Sequence, residues 1–119
     1  METQKRIGRA LERLASSMDG ARSLVVSSRE GVLISSTGKG VDEEELCALG
    51  AKLISTSKWV GKELKLKDFE STIVEFEDGT ILAYGHGSVS IMAIIDKGSN
   101  VELMRLLLRS FAEETESMI

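Results

Sequence analysis

One histidine, one cysteine and one tryptophan in 119 residues leave little of the usual equipment of catalysis. His86 sits between Gly85 and Gly87, where it reads as a polar residue at a hairpin tip rather than a general base. Cys47 lies inside an apolar helical pattern with no histidine nearby in the sequence, the setting of an inert buried thiol rather than a nucleophile. A lone cysteine makes no internal disulfide, which suits a reducing cytosol and predicts a cytoplasmic protein. Nor is a metal ion expected, because one histidine, one cysteine and scattered carboxylates show no ligand spacing. Gly38-Lys39-Gly40 lacks both the glycine five residues before the lysine and the Ser or Thr after it that a phosphate loop requires. It reads as a loop entering a helix, and no cofactor is expected.

Long apolar runs and a concentrated basic face are missing too. No stretch approaches the roughly 20 apolar residues of a bilayer span, so no membrane insertion is expected. The polar start Met1-Glu2-Thr3-Gln4-Lys5-Arg6 opens a helix and has no secretory-signal character. A net charge of −4 gives no long-range attraction to nucleic acid. Lys58, Lys62, Lys65 and Lys67 form the only basic cluster, at the end of a helical pattern where positive charge meets the helix dipole favourably.

What remains is a chain with 42% hydrophobic residues, enough for a packed core in one domain spanning residues 1–119. Ile7, Ala10, Leu11, Leu14 and Met18 recur at three- and four-residue spacing and predict a helix from about Thr3 to Met18, ended by Asp19-Gly20. Ala21 to Ser28 and Val32 to Ser36 read as a hairpin around Arg29-Glu30-Gly31, with Gly31 supplying the positive φ of a tight reversal. Leu24-Val25-Val26 is apolar on both faces of its strand, which predicts a sheet covered on both sides. Ser36 to Gly40 reads as a loop. Asp42 then caps a long helix with an acidic first turn, running to Leu64.

On that helix, at 100° per residue, Leu46, Leu49, Leu53, Ile54, Val60 and Leu64 share one broad arc with Gly50, Ser57 and Gly61. Small residues among large ones imply close approach to a sheet or another helix. Trp59 falls nearly opposite, close to Ala48 and Ser55. An exposed tryptophan on a face of small residues is the pattern of an interface anchor, with partial cover by a loop as the other reading.

Phe69 to Phe76, Thr80 to Tyr84 and Val89 to Ile95 predict a three-stranded meander, turned at Glu77-Asp78-Gly79 and at Gly85 to Ser88. The unbroken run Ile91-Met92-Ala93-Ile94-Ile95 belongs in the middle of a sheet. Ser99 with Glu102 reads as a capping box for a closing helix whose inward side carries Val101, Met104, Leu107, Leu108, Phe111, Thr115 and Met118. The order αββαβββα predicts an α/β (α+β) sandwich. Its single five-stranded, mainly antiparallel sheet has the order 2-1-5-4-3, with the long helix on one face and the two terminal helices on the other.

Three stretches in that order carry a resemblance: Leu24 through Ile34 with its turn at Gly31, the acidic helix start Val41-Asp42-Glu43-Glu44-Glu45-Leu46, and the turn Glu77-Asp78-Gly79. Together they resemble the Roadblock family of dynein light chains and their prokaryotic relatives, across nearly the whole chain. The resemblance implies a compact, profilin-like sandwich that homodimerises through its third strands and its long helices. It also implies a two-chain platform for a Ras-like small GTPase or a larger scaffold, with no catalytic residue set. The dimer interface it suggests comprises Ala48, Ser55 and Trp59 on the helix and Ser71, Thr72, Ile73, Val74 and Glu75 on the strand. Arg22 and Arg29, near the hairpin, are candidates for an arginine finger but are expected to be structural or solvated. A small sensory or ligand-binding α/β domain is the alternative reading.

Overall fold

A computed structural model describes residues 2–38 and 41–119. The elements follow in the order α1 (Glu2–Ser17), β1 (Ala21–Ser28), β2 (Leu33–Gly38), α2 (Glu43–Glu63), β3 (Ser71–Phe76), β4 (Gly79–His86), β5 (Val89–Asp96) and α3 (Val101–Glu116). All four strand pairings are antiparallel and the sheet order is β2-β1-β5-β4-β3, as the apolar central strands require.

Alternation along the central strands divides the core into two layers. Leu24 and Val26 of β1, Leu82 and Tyr84 of β4, and Ile91, Ala93 and Ile95 of β5 point to one face. There they pack on Ile7, Leu11 and Leu14 of α1 and on Met104, Leu108 and Phe111 of α3. Val25, Ala83 and Met92 point to the other face and pack on Leu46, Cys47 and Ile54 of α2. The continuous apolar runs of β1 and β5 are thus explained by cover on both sides.

The helix start at Asp42 follows the expectation: its Oδ1 accepts from the Glu45 amide at 3.1 Å. Gly31 has φ +94 and closes the β1–β2 turn. Four local features depart from the sequence reading. Ser36, Thr37 and Gly38 extend β2 rather than forming a loop, because each pairs with β1 (Val25↔Ser36, Leu24↔Thr37, Ser23↔Gly38); the expected loop residues Lys39 and Gly40 lie outside the described residues. The cap of α3 is Asn100, whose Oδ1 accepts from Leu103 N at 3.0 Å, and not Ser99. Gly79 belongs to β4 without a positive φ. Its lack of a side chain is needed for close packing, since a Cβ would stand 2.8 Å from the Ile95 carbonyl oxygen and against the Arg22 guanidinium. The third reversal is tighter than Gly85 to Ser88, with β4 continuing through His86 and only Gly87-Ser88 in the turn.

The β3–β4 turn is clamped by a side chain from β1. Arg22 pairs with Asp96 at 2.6 Å and donates to the Asp78 carbonyl at 2.9 Å. At the opposite end of the sheet Arg29 donates to the Gly87 carbonyl from Nε and from a terminal nitrogen, at 3.2 and 2.7 Å. Both candidate finger residues therefore hold turns.

Candidate functional site

The long helix decides which surfaces the chain offers. Its buried residues are Leu46, Cys47, Gly50 and Ile54, an arc narrower and rotated from the one that counting all large apolar residues gives. Leu49 is 51% exposed, Val60 42% and Leu64 66%, which corrects their expected place against the sheet. The physical cause is Gly50. A Cβ at that position would overlap the Met92 sulfur of β5, so Gly50 is the point of closest approach and fixes the rotation of α2 about its axis. Once that arc faces the sheet, Leu49, Thr56 and Val60 are left exposed, with half-buried Leu53 between them still packed against the core beneath α2. Their spacing of four, three and four residues is that of a helix-pairing seam.

Among the expected interface residues, Ala48, Ser55 and Trp59 are exposed, the last by 62%. β3 is an edge strand with β4 as its one neighbour in the sheet, which leaves its outer row of backbone groups free to pair. Along it Ile73 and Glu75 are exposed, while Ser71, Thr72 and Val74 are half-buried. Helix and strand are tied directly, because the hydroxyls of Ser57 and Thr72 lie 2.7 Å apart. The exposed seam of α2 and the open edge of β3 are thus parts of one flank. Leu49, Val60 and Leu64, which sequence reasoning turned inward, add apolar area to it.

The groups weighed for chemistry are dispersed. His86 is exposed at the end of β4 and Cys47 is 1% exposed beneath α2. Burial pushes the Cys47 thiol up, the charges of Glu43 and Glu44 push the same way, and a hydrogen bond with Ser27 opposes them; a thiol so placed is a poor nucleophile. Among the described residues no three His, Cys, Asp or Glu side chains come together as metal ligands, and no helix is long and apolar enough to cross a membrane.

The lysine cluster at the end of α2 is less bland than its sequence suggested. Lys58, Lys62 and Lys67, with Leu66, Asp68, Phe69 and Gly61, surround a groove of about 670 Å³ between the last turns of α2 and the sheet. Lys65 is not part of it. That residue takes φ +59, the left-handed position that closes a helix, and Leu66 N donates to Gly61 O at 2.8 Å while Lys65 N donates to Lys62 O at 3.1 Å. This closure folds residues 66–69 back to make the groove's far wall.

Residues 8–96 match the model of the Roadblock/LC7 domain. The chain belongs to that family. Its relatives include the uncharacterized protein MJ0714 of Methanocaldococcus jannaschii, 26% identical over 101 residues that cover 84% of this chain and 86% of that protein. In three dimensions it is similar to MglB of Myxococcus xanthus, with TM-score 0.85, 21% identity, and cover of 100% of this chain and 94% of that one. It is also similar to the gliding protein MglB of Thermus thermophilus, with TM-score 0.87, 14% identity, and cover of 99% and 91%.

Proposed function

We propose that this chain is a non-enzymatic, homodimeric adaptor that presents a two-chain platform to a Ras-like small GTPase or to a larger scaffold in the cytoplasm. The observation that carries the reading is the flank just described, an exposed apolar seam on α2 beside an unpaired edge strand. Membership of the Roadblock/LC7 family supports it. A twofold axis beside that flank lets each copy bury the other's seam and pair β3 with β3, since an isologous interface uses the same patch twice. Ala48, Ser55 and Trp59 from α2 and Ser71 to Glu75 from β3 would then lie at the interface.

A regulator acts on a nucleotide switch only through unequal affinity for its two states. Arg22 and Arg29 are already engaged with Asp96, the Asp78 carbonyl and the Gly87 carbonyl. Any effect on hydrolysis would therefore run through the GTPase's own switch loops.

Sedimentation equilibrium should give about twice the chain mass of 13.0 kDa. Trp59→Ala should weaken association by about 2 kcal/mol, as for an interface anchor, with the fold retained. Calorimetric titration into a small GTPase encoded in the same genome should then distinguish its GTP- and GDP-loaded forms. A monomer at high micromolar concentration removes the platform, and equal affinity for the two forms removes the regulatory reading.

A further inference from the structure

We propose that the groove beneath the C-terminal half of α2 binds a compact polyanion carrying clustered phosphate groups. It is lined by Lys58 and Lys62 of the helix and Lys67 of the returning chain, together with Ser57, Ser71 and Gly85. At about 670 Å³ the groove falls within the size range of small-molecule sites. Three cations gather here in a chain whose net charge is −4, and among the described residues none of the three takes part in an ion pair. Asp68 is the one acidic residue on the wall.

The favourable meeting of lysines with the helix dipole does not account for this arrangement. The dipole amounts to roughly half a negative charge at the helix end, against three positive charges. Three of its last four carbonyls are also occupied: those of Val60, Gly61 and Lys62 accept from the amides of Leu64, Leu66 and Lys65. Lys58 is held elsewhere, its ammonium 5.8 Å from the centroid of the ring of Phe69, which also lines the groove, a contact that favours keeping the charge there.

Gly61 supplies an independent observation. Glycine in a helix interior is disfavoured relative to alanine, and at Gly50 close packing explains it. At Gly61 a Cβ would meet nothing within 4 Å. The helix therefore carries a glycine that no contact among the described residues requires, at a position that lines the groove.

Several phosphates match three lysine point charges better than a single carboxylate does, because each offers multiple acceptor oxygens. A long nucleic acid would have to leave the groove over an acidic molecule and is disfavoured by the same charge balance. The shared chemistry is an oligophosphate, free in solution or borne on a lipid headgroup. The groove borders the proposed dimer flank at Ser71, which lines it, whereas Lys58 and Lys62 lie roughly 160° around the helix from Val60 of the seam. Phosphate binding, read with the lysine variants, and dimer mass, read by sedimentation, are separate measurements, so either reading can fail without the other.

The test is an amide NMR titration of the full chain with inorganic triphosphate, repeated with phosphatidylcholine vesicles with and without a phosphoinositide. Saturable shifts centred on Gly61, Phe69 and Ser71 are expected. The triple variant Lys58→Gln/Lys62→Gln/Lys67→Gln should lose at least about tenfold in affinity, while Lys5→Gln/Lys97→Gln binds as the parent. Gly61→Leu, which keeps every lysine but fills the groove, should lose binding as well. Saturation by free triphosphate assigns a soluble ligand, and groove-dependent binding to phosphoinositide vesicles alone assigns a headgroup; both support the site. Shifts that never saturate or spread over all lysines, a triple variant that binds like the parent, or unchanged affinity in folded Gly61→Leu would overturn it.

Discussion

The same substitution, made at two glycines eleven residues apart on one helix, should change stability in opposite directions. Replacing glycine by alanine in a helix interior gains about 1 kcal/mol from backbone propensity. At Gly61 nothing opposes that gain, because the new methyl enters open space; Gly61→Ala should stabilise by about 1 kcal/mol. At Gly50 the methyl would overlap the Met92 sulfur and lie 2.6 Å from Met92 Cγ. Met92 of β5 is 2% exposed, enclosed beneath α2, and its Cγ is too near the backbone to swing clear without a rotamer change. Overpacking of this kind costs about 1–3 kcal/mol, and at the upper end it exceeds the propensity gain, so Gly50→Ala should destabilise by about 2 kcal/mol. Urea unfolding followed by far-UV circular dichroism, at one fixed protein concentration to hold any association constant, should separate the two variants by about 3 kcal/mol. Shortening Met92 to alanine in the Gly50→Ala background should recover part of the loss, giving a coupling of about 1 kcal/mol or more in the double-mutant cycle. If Gly50→Ala stabilises as Gly61→Ala does, or shows no coupling to Met92, then Gly50 does not set how α2 seats on the sheet.

Thr115→Val should raise stability by about 1 kcal/mol or more, read as a higher urea midpoint, because the Thr115 hydroxyl is fully buried with no hydrogen-bond partner among the described residues and valine keeps its shape. Lys65→Gly should also stabilise, by about 0.5–1 kcal/mol, since φ +59 strains a side chain that the helix closure does not use. Glu116 accepts from the Ser88 amide and hydroxyl at 3.1 and 2.9 Å, and those bonds, with His86 and Arg29 nearby, hold its carboxyl below the ordinary value of 4.5. A depressed carboxylate contributes stability that is complete above its unfolded pKa and lost as pH falls through its folded one. The gap in urea midpoint between the parent and Glu116→Gln should accordingly be constant near neutral pH and close below about pH 4.5; a gap that persists or widens in acid would reject this role.

Most of the fold was legible because each central element carries two agreeing signals. β1 and β5 combine unbroken apolar runs with turn residues at both ends, so their place in the middle of the sheet and the order 2-1-5-4-3 follow from which strands need cover on both faces. Asp42 and the acidic turn after it mark the start of α2 unambiguously. The misreadings occur where two residues compete for one role. Ser99 and Asn100 are both good caps, and only the backbone at the corner decides for Asn100. Gly79 has the composition of a turn residue, but the approach of Arg22 and the Ile95 carbonyl is a contact between distant parts of the chain.

The candidate site was less legible, for a reason that lies in α2 itself. Its large apolar residues span an arc wider than a sheet can cover, so two rotations are compatible with the sequence: Ile54 faces the sheet in both, but one turns Leu49 and Val60 inward with it and the other turns Cys47. Periodicity weighs these residues by hydrophobicity, whereas the seating is set by where the backbone can come closest, and that is decided by the contact of Gly50 with Met92, far apart in the sequence. Once Gly50 faces the sheet, the leftover apolar residues become the outer seam, and the small residue Gly61 opens the groove beneath the same helix. The lysines around that groove were hidden by a backbone event close at hand, the left-handed turn at Lys65. No glycine announces it, yet it brings Lys67 and Phe69 back to face Lys58. Both surfaces of this helix therefore depend on how deeply it sits, so a change at Gly50 that lifts α2 should disturb the seam and the groove together, whereas a change at Gly61 should reach the groove alone.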